Sequence, residues 1–289
     1  DADIEVHPNK ALLKQLKQSC RRLIIDGPNC IIGCLPDHSL FMVQDRKKLR
    51  PGVIGGDNGT FVFASEMCGL DAVIPRRDKA RDFQPMHLDT ATLDFAVPAV
   101  GQRMRVIELV PGQIVTGQSF EAPTVVDGRA VADPARDLLK IAVIERHRGT
   151  GRTGIGFVRG MGLRRGAMAS SVAHDAHNII VVGADDADMA AAVRQVAAMQ
   201  GGLAVVADAE PLASLPLPIA GLMSPEPIEA IQARLDGLIR AARGLGAAPQ
   251  DPFMILSFLA LPVIPALKLT DQGLVDVDRF EPVDLFVQV

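Results

Sequence analysis

From residue 178 onward the apolar positions fall into short blocks of two different periods. Ile179, Ile180, Val181 and Val182 form an uninterrupted apolar run closed by Gly183, the mark of a strand buried on both faces. Residues 185–200 are rich in Ala with Asp185, Asp186 and Asp188 at their start. Carboxylates there complement the helix dipole, and Gly201-Gly202 supplies a stop. A second apolar run, Leu203 to Val206, follows. A strand, a helix and a strand in this order predict two parallel, neighbouring strands with a crossover helix. A longer helix is predicted over residues 225–245, with Ser224 as N-cap and Pro225 in the first helical position. Its stripe of Ile228, Ile231, Leu235, Leu238 and Ile239 faces a core. Upstream, residues 103–110 and 138–144 read as strands, and Asp127-Gly128 between valines reads as a hairpin turn.

The first third of the chain is patterned differently. Leu12, Leu13 and Leu16 are spaced for a helix over residues 8–22 with a cationic outer face. Four strand-length runs follow, at residues 22–25, 30–33, 39–43 and 60–64. Between them lie Asp26-Gly27-Pro28-Asn29, Pro36-Asp37-His38 and Gly55-Gly56-Asp57-Asn58-Gly59, which are turn chemistry, so an antiparallel meander is predicted. Net charge is +2 before Met86 and −6 from it onward, and six of the eight lysines and all four cysteines lie in the first part. This shift sets a boundary between residues 84 and 100. The fold class expected is mixed α/β or α+β: a β-rich fragment over 1–86, then an α/β-layered domain over 87–289.

Composition narrows the function classes. A length of 289 residues suits two domains at roughly 100–200 residues each, and 48% apolar with 22% charged residues is ordinary globular usage. Trp and Tyr are absent and the net charge is −4, so both the aromatic platforms and the basic excess of nucleic-acid binders are missing. The longest apolar stretch, residues 253–267, is broken by Pro262 and Pro265 and is too short for a bilayer, so it reads as buried core. The first residues, Asp1-Ala2-Asp3-Ile4-Glu5, do not resemble a secretory signal, and a cytoplasmic location is expected. Cys20, Cys30, Cys34 and Cys68 lack the close pairing usual in zinc modules and read as small buried hydrophobes.

Candidate chemistry concentrates just before the Ile179 run. Ser170, Ser171, His174, Asp175, His177 and Asn178 offer general-base, ligating and hydrogen-bonding groups within nine positions. We take His174, Asp175, His177 and Asn178 as candidate catalytic residues and Ser170 and Ser171 as candidate substrate contacts. His-x-x-His shares a face only on a helix, so the spacing does not select a metal. The preceding stretch from Gly149 to Gly166 has the look of a glycine-rich loop, yet it lacks the lysine and hydroxyl of a phosphate loop. It carries Arg146, Arg148, Arg152, Arg159, Arg164 and Arg165 with no acidic residue between Arg146 and His174, which would make either a positive lobe facing an anion or a solvated basic face.

Several blocks carry a family resemblance. They are Met104-Arg105-Val106-Ile107 with Pro111-Gly112-Gln113-Ile114-Val115-Thr116, and residues 137–147, 162–183, 215–224 and 251–277, the last containing Lys268-Leu269-Thr270-Asp271. In this order, over about 88–286, the chain resembles the C-terminal domain of adenine deaminases of the amidohydrolase type. The family cluster His-Asp-Ser-His-Asn has Ala176 at its centre here. The resemblance implies hydrolysis of adenine to hypoxanthine and ammonia with a divalent metal, Mn or Fe. Its ligands are expected outside this chain, because they belong to a barrel of roughly 250 residues and only about 87 precede the match. The implied partners are adenine or a related small molecule, and a barrel domain or a second copy. Residues 22–86, through Asp26-Gly27-Pro28-Asn29, Asp45-Arg46-Lys47-Lys48-Leu49-Arg50-Pro51 and Ala64-Ser65-Glu66-Met67-Cys68-Gly69-Leu70-Asp71, resemble part of a class II glutamine amidotransferase domain. No N-terminal nucleophile accompanies that likeness, since Asp1 stands first.

Overall fold

The computed structural model describes residues 86 to 287 continuously and, before them, position 11 and four strands. These strands are β1 (Cys30–Cys34), β2 (Leu40–Gln44), β3 (Val53–Asp57) and β4 (Thr60–Ala64). The chain divides into two units, Asp1–Arg81 and Asp82–Val289. In the first unit β1 pairs antiparallel with β2, and β3 with β4. Gly55, Gly56 and Asp57, expected in a turn, lie in β3, and the pairing runs on to Asp57 opposite Thr60, leaving two positions between the strands. The predicted helix over 8–22, the strand over 22–25, and Cys20 and Cys68 fall outside the described residues, position 11 apart.

The second unit is built on one mixed sheet of nine strands. In chain order these are β5 (Arg103–Leu109), β6 (Thr116–Glu121), β9 (Leu139–Ile144), β10 (Thr153–Arg159), β11 (Ala167–Ser170), β12 (Ile179–Gly183), β13 (Gly202–Ala207), β14 (Glu210–Pro216) and β18 (Phe286–Val287). A separate hairpin joins β7 (Thr124–Val126) to β8 (Arg129–Val131), and positive φ at both Asp127 and Gly128 gives the turn foreseen from Asp-Gly. Across the sheet the order is β14-β13-β11-β12-β9-β10-β5, with β6 on one edge of β5 and β10 and β18 sharing the other.

Side chains alternate between two apolar layers. Ala142, Ile144, Ala167, Ala169, Ile179 and Val181 point to the layer that packs on α1 (Asp186–Ala198) through Met189, Ala192, Val193 and Val196. Leu139, Ile141, Val143, Ile180 and Val182 face the opposite layer. There they meet α2 (Ile228–Gly244), α3 (Pro252–Phe258) and a small antiparallel sheet of β15 (Leu267–Thr270), β16 (Gly273–Asp276) and β17 (Glu281–Val283). A buried strand flanked on both faces needs the continuous apolar run that β9 and β12 carry. The mixed α/β class read from the sequence is what is found, with three helices among the described residues, none of them long and apolar enough to cross a membrane.

Three local expectations are corrected. β12 and β13 do run parallel, but β11 lies between them, antiparallel to both, so they are not neighbours. The helix expected from residue 225 begins at Ile228, and Ser224 instead accepts the Glu226 amide through Oγ at 3.2 Å in the preceding turn. The stretch 253–267 is only partly core, because Leu256 and Leu267 are buried while Met254 and Val263 are exposed.

The glycine-rich stretch is also more ordered than a loop. Residues 153–159 form the central strand β10, where a Cβ on Gly154 would fall onto the Thr270 carbonyl and one on Gly156 would meet Leu274 Cδ2 at 3.2 Å. These glycines let the small sheet lie close against the large one, and so set the position of the β15–β16 turn. The arginines nearby disperse rather than forming a lobe: Arg159 pairs with Glu108 and Glu121, Arg165 with Asp208 and Arg152 with Asp271.

Candidate functional site

Residues 174–178 form the turn that feeds β12, and neighbouring elements grip its backbone. The His174 amide donates to Ser257 O of α3 at 3.1 Å, while the His174 ring stacks at a tilt on Phe258, 4.8 Å between centroids. At the other end the Ala176 carbonyl accepts from His147 Nε2 at 2.8 Å, and the His177 carbonyl from Arg146 Nε at 2.5 Å. A carbonyl only accepts, so His147 must carry its proton on Nε2. His177 sits at φ +50, and its amide returns to Ala173 O at 2.6 Å. The two rings of the cluster stand edge to face, 5.5 Å apart.

Both gripping side chains come from one loop, and Glu145 organises it. Its carboxylate accepts the backbone amides of His147 at 2.5 Å, Arg148 at 2.8 Å and Thr150 at 3.1 Å, and the Thr150 hydroxyl at 2.9 Å. Burial by itself would raise this acid, but the converging donors win and hold it at about 2, so the loop is tied by a carboxylate at neutral pH. The Arg146 guanidinium, only 6% exposed, also donates to Ala220 O at 2.9 Å, and burial lowers its pKa. Burial lowers the His177 pKa too, helped by the charges of His174 and Arg146. Its ring is therefore neutral at pH 7 and able to accept as well as donate.

The serines are spent inside the fold. Ser170 Oγ closes a tight loop with Val172, accepting its amide at 2.9 Å and donating to its carbonyl at 3.1 Å. Ser171 Oγ donates to Gly221 O at 2.6 Å and accepts the Gly202 amide at 2.7 Å, which ties β11 to the start of β13. Both side chains are fully buried, so the structure places them as braces for the turn and not on its open side.

That open side is a cleft of about 320 Å³ whose lining includes Asp175, Asn178, Thr270 and Asp271 against apolar walls from Ala173, Leu261 and Pro262. Asp175 is exposed, and Asn178 is 5% exposed. Asn178 Nδ2 donates to Asp271 Oδ1 at 3.3 Å, and Arg152 Nε stands 3.0 Å from Asp271 Oδ2 as an ion pair without hydrogen-bond alignment. Asp271 occupies the two-residue turn between β15 and β16. Three buried polar atoms here, His177 Nδ1, Asn178 Oδ1 and Asp271 Oδ2, have no hydrogen-bond partner. Such atoms cost roughly 1–3 kcal/mol each, so three in one place mark a site made for something besides stability.

Asp271, Arg152, Arg146 and Glu145 escape a reading by local spacing. Asp271 reaches Asn178 across 93 positions of sequence. The available signal was its polar turn after Leu267-Lys268-Leu269-Thr270, in one of the blocks that carry the resemblance. Among the described residues no three His, Cys, Asp or Glu side chains are placed to hold a metal ion. The cluster does not fit a metal centre by its own donors. The second unit has only two lysines, and both are buried: Lys140 binds Asp186 at 2.6 Å at the start of α1, and Lys268 donates to Ile114 O at 2.9 Å.

Comparison with known proteins places this arrangement in a family. The family model described as adenine deaminase C-terminal domain matches residues 113–281. An adenine deaminase of Desulfatibacillum aliphaticivorans is 57% identical over 265 residues, 91% of this chain and 44% of its own length. Adenine deaminases of Oleidesulfovibrio alaskensis and Methanothrix thermoacetophila are 55% and 50% identical, over 69% and 67% of this chain and 35% and 34% of theirs. The chain thus spans less than half the length of these relatives. A match of 265 residues is too long for the second unit alone and takes in most of the first. The glutamine amidotransferase likeness of residues 22–86 finds no support in these comparisons. By its match over residues 113–281, which contain the turn, the cleft and both lysines, the chain belongs to the adenine deaminase C-terminal domain family.

Proposed function

We propose that the chain contributes to the hydrolytic deamination of adenine to hypoxanthine and ammonia, as the part that closes over the substrate next to a metal-bearing amidohydrolase barrel. The observation that carries this reading is the convergence of Asp175, Asn178 and Asp271 on one cleft, beside the turn that carries the paired rings of His174 and His177. Adenine is a planar base with hydrogen-bonding edges, and an apolar slot ending in a few polar groups is the usual form of site for such a molecule. His177, neutral at pH 7, is suited to pass or receive a proton. A divalent metal, manganese or iron, held by residues outside the described ones, would supply water ionised near neutral pH.

The test is ammonia release from adenine in the presence of Mn²⁺ or Fe²⁺. The chain by itself should release ammonia far below ordinary enzyme rates of about 1 s⁻¹ or more, since most of the acceleration would be lost with the metal centre. Addition of a barrel domain from one of the relatives should restore turnover. Fast turnover by the chain alone would contradict the proposed division of labour, and failure of the barrel to respond to the chain would contradict the contribution itself.

A further inference from the structure

The unpartnered atoms of the cleft are all able to accept, and this restricts what the cleft binds. A carboxylate can only accept, so the contact between Asn178 and Asp271 fixes the amide with Nδ2 toward Asp271 and Oδ1 away from it. Asn178 Oδ1 and Asp271 Oδ2 are then two acceptors without a donor on side chains that line the same cleft. The neighbouring cation is held loosely: the Arg152 side chain is 49% exposed against 11% for Asp271, and its Nε is near but not aligned. Half-exposed ion pairs of this kind contribute little, so a better donor can displace the arginine cheaply. Val143, Ala173, Ala260, Leu261 and Pro262 supply the apolar walls.

We propose that Asp271, held between Asn178 and Arg152 on the β15–β16 turn, is the specificity-determining residue of the cleft, receiving the N–H donors of an amino-substituted nitrogen heterocycle, with Arg152 as the counter-ion that the ligand displaces. The inference rests on the adenine reading above. Both acceptors lie under the cleft surface, and small rotations of the Asp271 and Asn178 side chains bring them to the ligand as Arg152 leaves. An amino group satisfies them, whereas a ring carbonyl presents an acceptor to acceptors. A site built of acceptors rejects the analogue that lacks donors because its own buried groups stay unpaired. Binding of the amino compound and release of the oxo compound follow from the same pair of atoms.

The test is binding of adenine, hypoxanthine and unsubstituted purine to the full chain, by calorimetry and by chemical-shift perturbation of residues 178 and 271. Adenine should bind at least about tenfold more tightly than the other two, as one charge-assisted hydrogen bond requires. Asp271→Asn should erase that preference. Arg152→Met should keep it and bind adenine equally or more tightly, an opposite effect that a merely disrupted fold would not give. Equal affinities for the three bases, absence of adenine binding, or an unchanged preference in Asp271→Asn would overturn the proposal. Turnover restored by the barrel with the preference intact in Asp271→Asn would leave the deaminase reading standing and sink this one. A preference that follows Asp271 without any turnover would do the reverse.

Discussion

Single residues in this fold act through what they hold. Glu145 was invisible as a functional position in the sequence, where it is one acid beside a basic, glycine-rich run. In the structure it ties the loop whose next two side chains, Arg146 and His147, grip the carbonyls of the candidate turn. Its folded pKa of about 2 lies below the ordinary value of 4.5. A depressed acid gives stability that is present above the unfolded value and lost as pH falls toward the folded one. Glu145→Gln should therefore lower the melting temperature at pH 7, by roughly 2 kcal/mol of stability, with the difference from wild type shrinking between about pH 4.5 and 2. Thermal melts of both proteins across that range check this, and a pH-independent difference would contradict it. Lys268 has the opposite partner problem, because burial takes its pKa down to about 8 with one carbonyl as partner. Between about pH 8 and 10.5 the unfolded chain binds the extra proton, so this group makes stability rise with pH in that window. Lys268→Met should remove the rise and cost less than about 1 kcal/mol at pH 7. A large loss at neutral pH would show instead that the ammonium is a net stabiliser.

Elements with one dominant period were legible in the chain, and those defined by partners were not. The Ile179 run, the acidic start of α1 and the Asp127-Gly128 turn each carry their cause locally, and each is found. β11 ends at Ser170, where the polar cluster begins, and only the sheet order reveals that it separates β12 from β13. β10 was hidden by its glycines, which lower strand propensity but are needed because the small sheet lies against them, its backbone at Gly154 and its leucines at Gly156. Gly154→Ala tests that account directly. Its methyl group would strike the Thr270 carbonyl, so the β15–β16 turn must move. We expect a loss of about 2–3 kcal/mol in urea unfolding, as overpacking in a tight contact gives, together with displaced amide resonances at Asp271 and Gln272. Unchanged stability would mean that the two sheets are not held this closely.

At the scale of the whole molecule, the polar cluster was legible in composition but its meaning was not. Of the six candidate residues Asp175 and Asn178 line the cleft, while Ser170 closes a tight loop with Val172 and Ser171 ties the end of β11 to the start of β13. Asn178 is buried like the serines, and the difference is that their hydroxyls are bonded inside the fold while its Oδ1 has no partner, which no spacing in the sequence reports. The cleft next to the turn of residues 174–178 is proposed to serve adenine deamination. The decisive experiment is the rate of ammonia release by the chain complemented with a relative's barrel, compared between wild type and His177→Ala at matched melting temperature. A fall of about 100-fold or more is expected, the scale on which a positioned proton-transfer group acts, with the fold retained. Equal rates for the two proteins would contradict it.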